Sequence, residues 1–135
     1  MQGFFRYYLS LYRPLIQSLN ELLQAYELSY SLWQVMVYLH EHEHASLVEI
    51  STYYGIEKPS ITRRVQRLEE LGYLTMAQGN DRREKSIALS CQGRSVYTQC
   101  RHKITALERR ATEGIAAAPL EQTAAVLQQI RDNIK

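Results

Sequence analysis

Between Lys58 and Leu68 stand four cations, Lys58, Arg63, Arg64 and Arg67, and no acid. Ser60, Thr62 and Gln66 are interleaved with them. Side chains of these types suit nucleic acid. Ammonium and guanidinium groups neutralise phosphates, and hydroxyls bond phosphate oxygens. Arginine pairs bidentately with a guanine edge, and glutamine with an adenine edge. Thr62, Arg63 and Gln66 are candidates for base edges, Lys58, Ser60 and Arg67 for phosphates, and Arg64 for either or neither. Charge alone equally fits a solvated helix face, so the elements that carry it decide.

The spacing predicts a helix over 59–71. At about 100° per residue, Ile61, Val65 and Leu68 fall within about 60° of one another and face a core. Thr62, Arg63, Gln66 and Arg67 then lie opposite, with Ser60 near the edge and Arg64 at the boundary, where its stem covers apolar surface. Pro59 suits a first helical turn, whose N–H groups have no partner inside the helix. Upstream, Ser46-Leu47-Val48-Glu49 is a capping box that starts a helix running to Tyr54. Gly55 ends it in a left-handed turn, and Ile56 plugs that turn. Two helices joined by a tight glycine turn form a helix-turn-helix, a unit also found in plain helical bundles.

The flanking chain adds what a bundle does not need. Residues 73–77 and 85–89 read as two strands of a hairpin. Its tip, Gln78-Gly79-Asn80-Asp81-Arg82-Arg83, carries Arg82 and Arg83. A wing that enters the strongly negative minor groove uses arginine there. Before the helix-turn-helix, residues 4–26 show an apolar stripe (Phe4, Tyr8, Leu11, Leu15, Leu19, Leu22, Tyr26), with Pro14 expected to kink or break the helix near Arg13. A second helix, 32–42, is capped by Ser29 or Ser31 and turns Trp33, Met36, Val37 and His40 or Leu39 inward. After the hairpin, Ser90 caps a long helix over about 91–116, carrying Val96, Ile104, Leu107, Ala111 and Ile115. Pro119 opens a last helix, striped by Leu120, Ala124, Leu127, Ile130 or Arg131, and Ile134. Stripes outside a compact winged core, at both ends of the chain, need a partner, and a C2 homodimer is the commonest solution. Fold class is therefore mainly α with a small β-hairpin wing. The expected organisation is one domain over 1–135: a winged helix-turn-helix core at 28–90, and dimerisation helices at 1–27 and 91–135.

Other chemistry is weaker. His40, His42 and His44 alternate; on a continuous helix His40 and His44 would share a face and His42 would point away. A metal site needs three or four ligands, so a solvated helix end near the C-terminal dipole is the stronger reading, and no metal or cofactor is expected. Tyrosines crowd the first thirty positions and read mainly as core or interface. The sharper reading is an effector pocket for a planar or phenolic compound, lined by Tyr8, Tyr12, Tyr30, Trp33 and Tyr38. Cys91 and Cys100 fall on different faces of one helix, which argues against an intrachain bridge and fits a reducing cytoplasm. The chain has 135 residues, 45% apolar and 22% charged, with a net charge of +2. That describes a globular chain whose overall charge says nothing about nucleic acid. No apolar run is long enough to span a membrane, and no secretory signal is visible. No phosphate loop, nucleophile elbow or metal signature points to an enzyme.

Together these stretches resemble the MarR family of bacterial winged helix-turn-helix regulators, over essentially the whole chain. Leu28-Ser29 through Trp33-Gln34 resembles the start of the family's second helix. Gly55-Ile56-Glu57-Lys58-Pro59-Ser60-Ile61-Thr62-Arg63, followed by Arg67-Leu68-Glu69-Glu70-Leu71-Gly72-Tyr73-Leu74, resembles its recognition helix and exit. Asp81-Arg82-Arg83, then Ile87-Ala88-Leu89-Ser90-Cys91-Gln92-Gly93, resembles its wing and the cap of the next helix. The resemblance implies a dimer on a roughly palindromic double-stranded DNA operator, usually repressing transcription and released by small molecules, metals or oxidants. It implies that Arg83 enters the minor groove while Asp81 orients the wing. Glu57 departs from the usual small hydroxyl cap, and Gln66 stands where an acid is common. Neither cysteine sits at the position of the family's peroxide sensors. The rival expectation is a winged-helix protein-interaction module that does not read DNA sequence.

Overall fold

The computed structural model describes residues 2–78 and 85–135. The chain divides into two compact units, Met1–Ile104 and Thr105–Lys135.

In the first unit, α1 spans Phe4–Leu23, and a 3₁₀ turn follows at Gln24–Tyr26. The helix runs on through Pro14, so no break occurs there. Proline withdraws only its own N–H, and both Pro14 and Ser10 are exposed, so water can take the freed carbonyl. Along α1 only Leu19 and Leu23 are buried. Phe4, Tyr8, Leu11 and Leu15 are 41–58% exposed, so the N-terminal part of the apolar stripe is left uncovered among the described residues.

Helix α2 is Tyr30–His42, capped by Ser29, whose hydroxyl accepts from the Leu32 N–H. It buries Trp33, Val35, Met36, Tyr38 and Leu39. Trp33, Met36 and, of the pair His40 or Leu39, Leu39 face inward as expected, while Val37 is only half-buried and His40 is exposed. Glu43, with φ 63, turns the chain out of the helix, and His44–Ala45 forms the short β1. Helices α3, Leu47–Tyr54, and α4, Lys58–Glu70, are the helix-turn-helix. Strands β2, Leu74–Gln78, and β3, Lys85–Leu89, pair antiparallel from Leu74↔Leu89 to Gln78↔Lys85. Strand β1 adds to the other side of β3 through His44↔Ala88 and Ala45↔Ile87, so the sheet order is β1-β3-β2. Ile87 and Leu89 face inward and join Ile50, Ile61, Val65, Leu68 and Met36 in the core.

Helix α5, Cys91–Ala111, ends five residues before the expected point, and Gly114, with φ 84, makes the turn instead of Pro119. In the second unit, α6 covers Ala117–Ile134. Pro119 sits inside its first turn, where a missing N–H is tolerated. None of its residues is buried, and Val126, Leu127 and Ile134 are exposed.

The Leu-Ser-x-x-Gly stretch before α5 has a direct physical reason. The Ser90 hydroxyl donates to the Gly72 carbonyl at 2.7 Å and accepts from the Gly93 N–H at 2.9 Å, while the Ser90 N–H donates to the Tyr73 carbonyl. One serine thus caps α5 and ties it to the exit of α4. A Cβ on Gly93 would run into the Tyr73 carbonyl. Gly93→Ala should therefore lower stability by about 3 kcal/mol or more in urea denaturation, against about 1 kcal/mol for Ser46→Ala at the α3 cap.

Candidate nucleic-acid interface

Helix α3 starts at a complete capping box. The Glu49 N–H donates to the Ser46 hydroxyl at 3.2 Å, and the Ser46 N–H donates to Glu49 Oε1 at 3.0 Å. The Ser46 N–H first, and then the Ser46 hydroxyl, hold the Glu49 carboxyl below its usual range. Gly55, with φ 65, closes the helix, and the Ile56 N–H bonds back to the Ser51 carbonyl. Glu57 is the N-cap of α4, yet its side chain makes no capping bond; Lys58 and Pro59 open the first turn.

The inner face of α4 is fully committed. Ile61, Val65 and Leu68 are 0–2% exposed. That burial sets the rotation of the helix and puts Lys58, Arg63, Gln66 and Arg67 in solvent, with Ser60 and Thr62 half-exposed beside them. The Thr62 hydroxyl donates to the Lys58 carbonyl, and Arg63 Nη2 donates to the Ser60 hydroxyl at 3.1 Å. Among the described residues Lys58 and Gln66 have no side-chain partner.

Besides Arg63 on Ser60, two of the four cations are engaged by groups outside the run. Arg67 lies 3.3 Å from Glu70 and 3.7 Å from Glu27. The run without acids therefore does not give a face without acids: Glu70 sits just beyond it, and Glu27 arrives from the turn before α2. Both pairs are exposed and weak, so Arg67 can exchange them for a phosphate. Arg64 differs. Half-buried, it donates from Nη1 to the Gln34 amide oxygen at 3.0 Å and to the Ser31 carbonyl at 3.3 Å, both on α2. Its stem was expected at the apolar boundary; the guanidinium is there too.

The strands of the hairpin are in place, and their register brings Gln78 opposite Lys85. The tip residues Asp81, Arg82 and Arg83 lie outside the described residues.

The five aromatic candidates for an effector site are distributed rather than gathered. Tyr8 and Tyr12 pair on exposed α1, with ring centroids 6.1 Å apart. Trp33 stacks on Tyr97 of α5 at 4.9 Å, and His40 stacks on Tyr97 at 3.9 Å. Tyr38 packs instead with His42, Tyr53 and Tyr54. Burial, the largest cause, raises the Tyr38 and Tyr54 phenols, so both remain protonated donors at neutral pH. The Tyr30 hydroxyl accepts from the Gln34 amide. A cleft of about 700 Å³ does run along α1, lined by Tyr12, Arg13, Ile16, Gln17, Asn20 and Leu28 among others. Of the five aromatics, it takes only Tyr12. Tyr97, Tyr53 and Tyr54 were missed as partners because contacts between helices leave no trace in the spacing along one of them.

The histidines also part company. His44 is in β1, not on a helix with His40, and His42 Nδ1 lies 2.9 Å from the Tyr38 carbonyl. No group of three or more His, Cys, Asp or Glu able to hold a metal occurs among the described residues. No described helix is long and apolar enough to cross a membrane.

A three-stranded sheet behind a helix-turn-helix, with a hairpin directly after the second helix, defines a winged helix-turn-helix protein. Comparison with known proteins narrows this. A model of the MarR family matches residues 26–84. The uncharacterised HTH-type transcriptional regulator YwoH of Bacillus subtilis is 32% identical over 96 residues, covering 71% of this chain and 70% of that protein. An uncharacterised HTH-type transcriptional regulator of Staphylococcus aureus strain Mu50 is 25% identical over 97% of this chain and 92% of its own length. Among solved structures, Staphylococcus aureus MarR in complex with salicylate and kanamycin superposes with a TM-score of 0.89, at 25% identity, over 98% of this chain and 91% of that one. A mutant of Escherichia coli MarR complexed with operator DNA is similar in fold, with a TM-score of 0.77 at 19% identity, over 96% of this chain and 99% of that one. The chain belongs to the MarR family of DNA-binding transcriptional regulators.

The two thiols stand in opposite environments. Cys91 is exposed, and Arg94 Nη2 donates to its sulfur. Cys100 is completely buried, and burial pushes its thiol up to about 11. Brief treatment of the native protein with a thiol reagent at neutral pH should label Cys91 alone, and denaturation should release Cys100, as mass spectrometry of the labelled peptides would record.

Proposed function

We propose that the chain represses transcription by binding a roughly palindromic operator as a homodimer. The observation that carries this reading is the orientation of α4. Its apolar stripe is buried to completion, so its opposite face, with Lys58, Arg63 and Gln66, is held outward on a rigid support. A helix presented this way enters the major groove. Arg63, Thr62 and Gln66 take the base edges; Lys58, Ser60 and Arg67 hold phosphates and fix the register. Arg82 and Arg83 approach the minor groove from the wing, with Asp81 orienting them. Residues 28–90 form the DNA-reading core.

The exposed apolar residues of α1 and α6 support the dimer. Residues 1–27 and 91–135 supply that interface, and the two-fold axis sets half-sites about 10 base pairs apart. The protein acts in the cytoplasm by binding and carries out no reaction of its own. The Staphylococcus aureus relative crystallised with salicylate supports a small aromatic or phenolic effector. In this reading Tyr12, which lines the α1 cleft, meets it, with Tyr8 packed on Tyr12; Tyr30 bonds Gln34, and Trp33 and Tyr38 are buried in other packing. An effector that favours one spacing of the recognition helices shifts DNA affinity by its preference for that state.

Selection from genomic DNA by the purified protein tests the reading. Enrichment of paired half-sites with that spacing is expected; retention of all sequences alike would instead favour a winged-helix protein-interaction module. On the selected operator, Arg63→Ala should cost roughly 1–3 kcal/mol and relax preference at one position of each half-site. Arg83→Ala should weaken binding with thermal stability unchanged, read by gel-shift titration beside a melting curve.

A further inference from the structure

Arg64 stands apart from the other cations of α4. It is half-buried, and its guanidinium is turned away from the outer face onto α2. Its partner Gln34 is a junction. The Gln34 amide oxygen accepts from Arg64 at 3.0 Å, and its NH₂ donates to the Tyr30 hydroxyl at 3.3 Å. This uses one acceptor and one donor of the amide in the only sense their chemistry allows. The Gln34 main-chain carbonyl accepts from the Tyr54 hydroxyl of α3 at 2.6 Å. Gln34 is therefore bonded to both helices of the helix-turn-helix. Upstream, the Tyr30 N–H donates to Asn20 Oδ1 at 2.8 Å, and Asn20 lines the α1 cleft.

We propose that Arg64 is a positioning residue rather than a DNA contact: through Gln34 and the Ser31 carbonyl it fixes the pitch of the recognition helix on α2. The inference rests on the DNA-reading role of α4 given above. The apolar stripe Ile61–Val65–Leu68 fixes how α4 is rotated about its axis, but a greasy contact resists tilting and sliding poorly. One guanidinium nitrogen, Nη1, bonded to two acceptors of another helix adds that directional restraint. Because Gln34 also bonds Tyr30, and Tyr30 bonds Asn20, a shift of α1 at the cleft reaches the same strut through contiguous hydrogen bonds.

The test is a double-mutant cycle on the full chain with its selected operator. Arg64→Ala and Gln34→Ala should each weaken binding roughly tenfold, about the loss of one charged hydrogen bond, and the double variant no more than either alone. The dependence of binding on salt should keep its slope, because no phosphate contact is lost. Arg64→Lys should fail to restore affinity, since the shorter lysine keeps the charge but does not carry its nitrogen to the Nη1 position between Gln34 and Ser31. A salt slope reduced by about one, rescue by lysine, and a neutral Gln34→Ala would make Arg64 a phosphate contact and overturn the proposal. Thermal unfolding of the same four proteins without DNA scores the strut independently: strict additivity there overturns it whatever the DNA result. Failure of the wild-type protein to select any operator, with the unfolding cycle still coupled, would count against the DNA reading and leave the strut standing.

Discussion

Burial of Ile61, Val65 and Leu68 is the constraint on which the rest of this molecule depends. A helix has one free rotation about its axis, and three apolar side chains on one stripe remove it. Everything else about the interface follows from that rotation: which side chains meet solvent, which cation is drawn inward, and where the chain leaves toward the wing. The neighbouring elements hold the stripe in place by short-range means. Ser46 and Glu49 start α3, Gly55 turns it, and Ser90 with Gly93 brings α5 against the Tyr73 carbonyl.

Charge on the outer face is a competition. Four cations stand in the run, but Arg67 has Glu27 and Glu70 within ion-pair distance, and Arg64 spends its hydrogen bonds on α2. The exposed pairs of Arg67 are the kind that yield readily to a stronger anion. The bond of Arg64 to Gln34 is half-buried, and breaking it would cost the Gln34 amide oxygen its protein partner. The two arginines are alike in sequence and unlike in availability, because one is held by exposed ion pairs and the other lies half-buried on two acceptors of α2.

The aromatic residues divide along the same line between local and tertiary causes. Their number in the N-terminal half suggests core or interface first, and a shared pocket as the sharper reading. The fold instead builds two stacks, Trp33–Tyr97–His40 and Tyr38–His42–Tyr53–Tyr54, and leaves Tyr8 and Tyr12 on an uncovered face. Each stack joins residues from two elements, so neither is visible as a periodicity. The open face of α1 is the reverse case: its stripe is plain in the spacing, and among the described residues its N-terminal part stays exposed.

What the sequence by itself determined were the features with a local cause. The capping box, the left-handed glycine after Tyr54, the inward stripe of α4 and the β3 alternation each depend on neighbours within a turn or a hairpin, and each stands where its residues put it. Boundaries shifted where two local signals competed, as at Gly114, which ended α5 before Pro119 had any effect. The tertiary structure alone decided the fate of Arg64 and Arg67, the parting of His40 from His44, and the partners of the aromatic rings. Those depend on residues tens of positions away, such as Gln34, Glu27 and Tyr97. Distance along the chain carries no information about them until burial of the apolar faces has set the helices side by side.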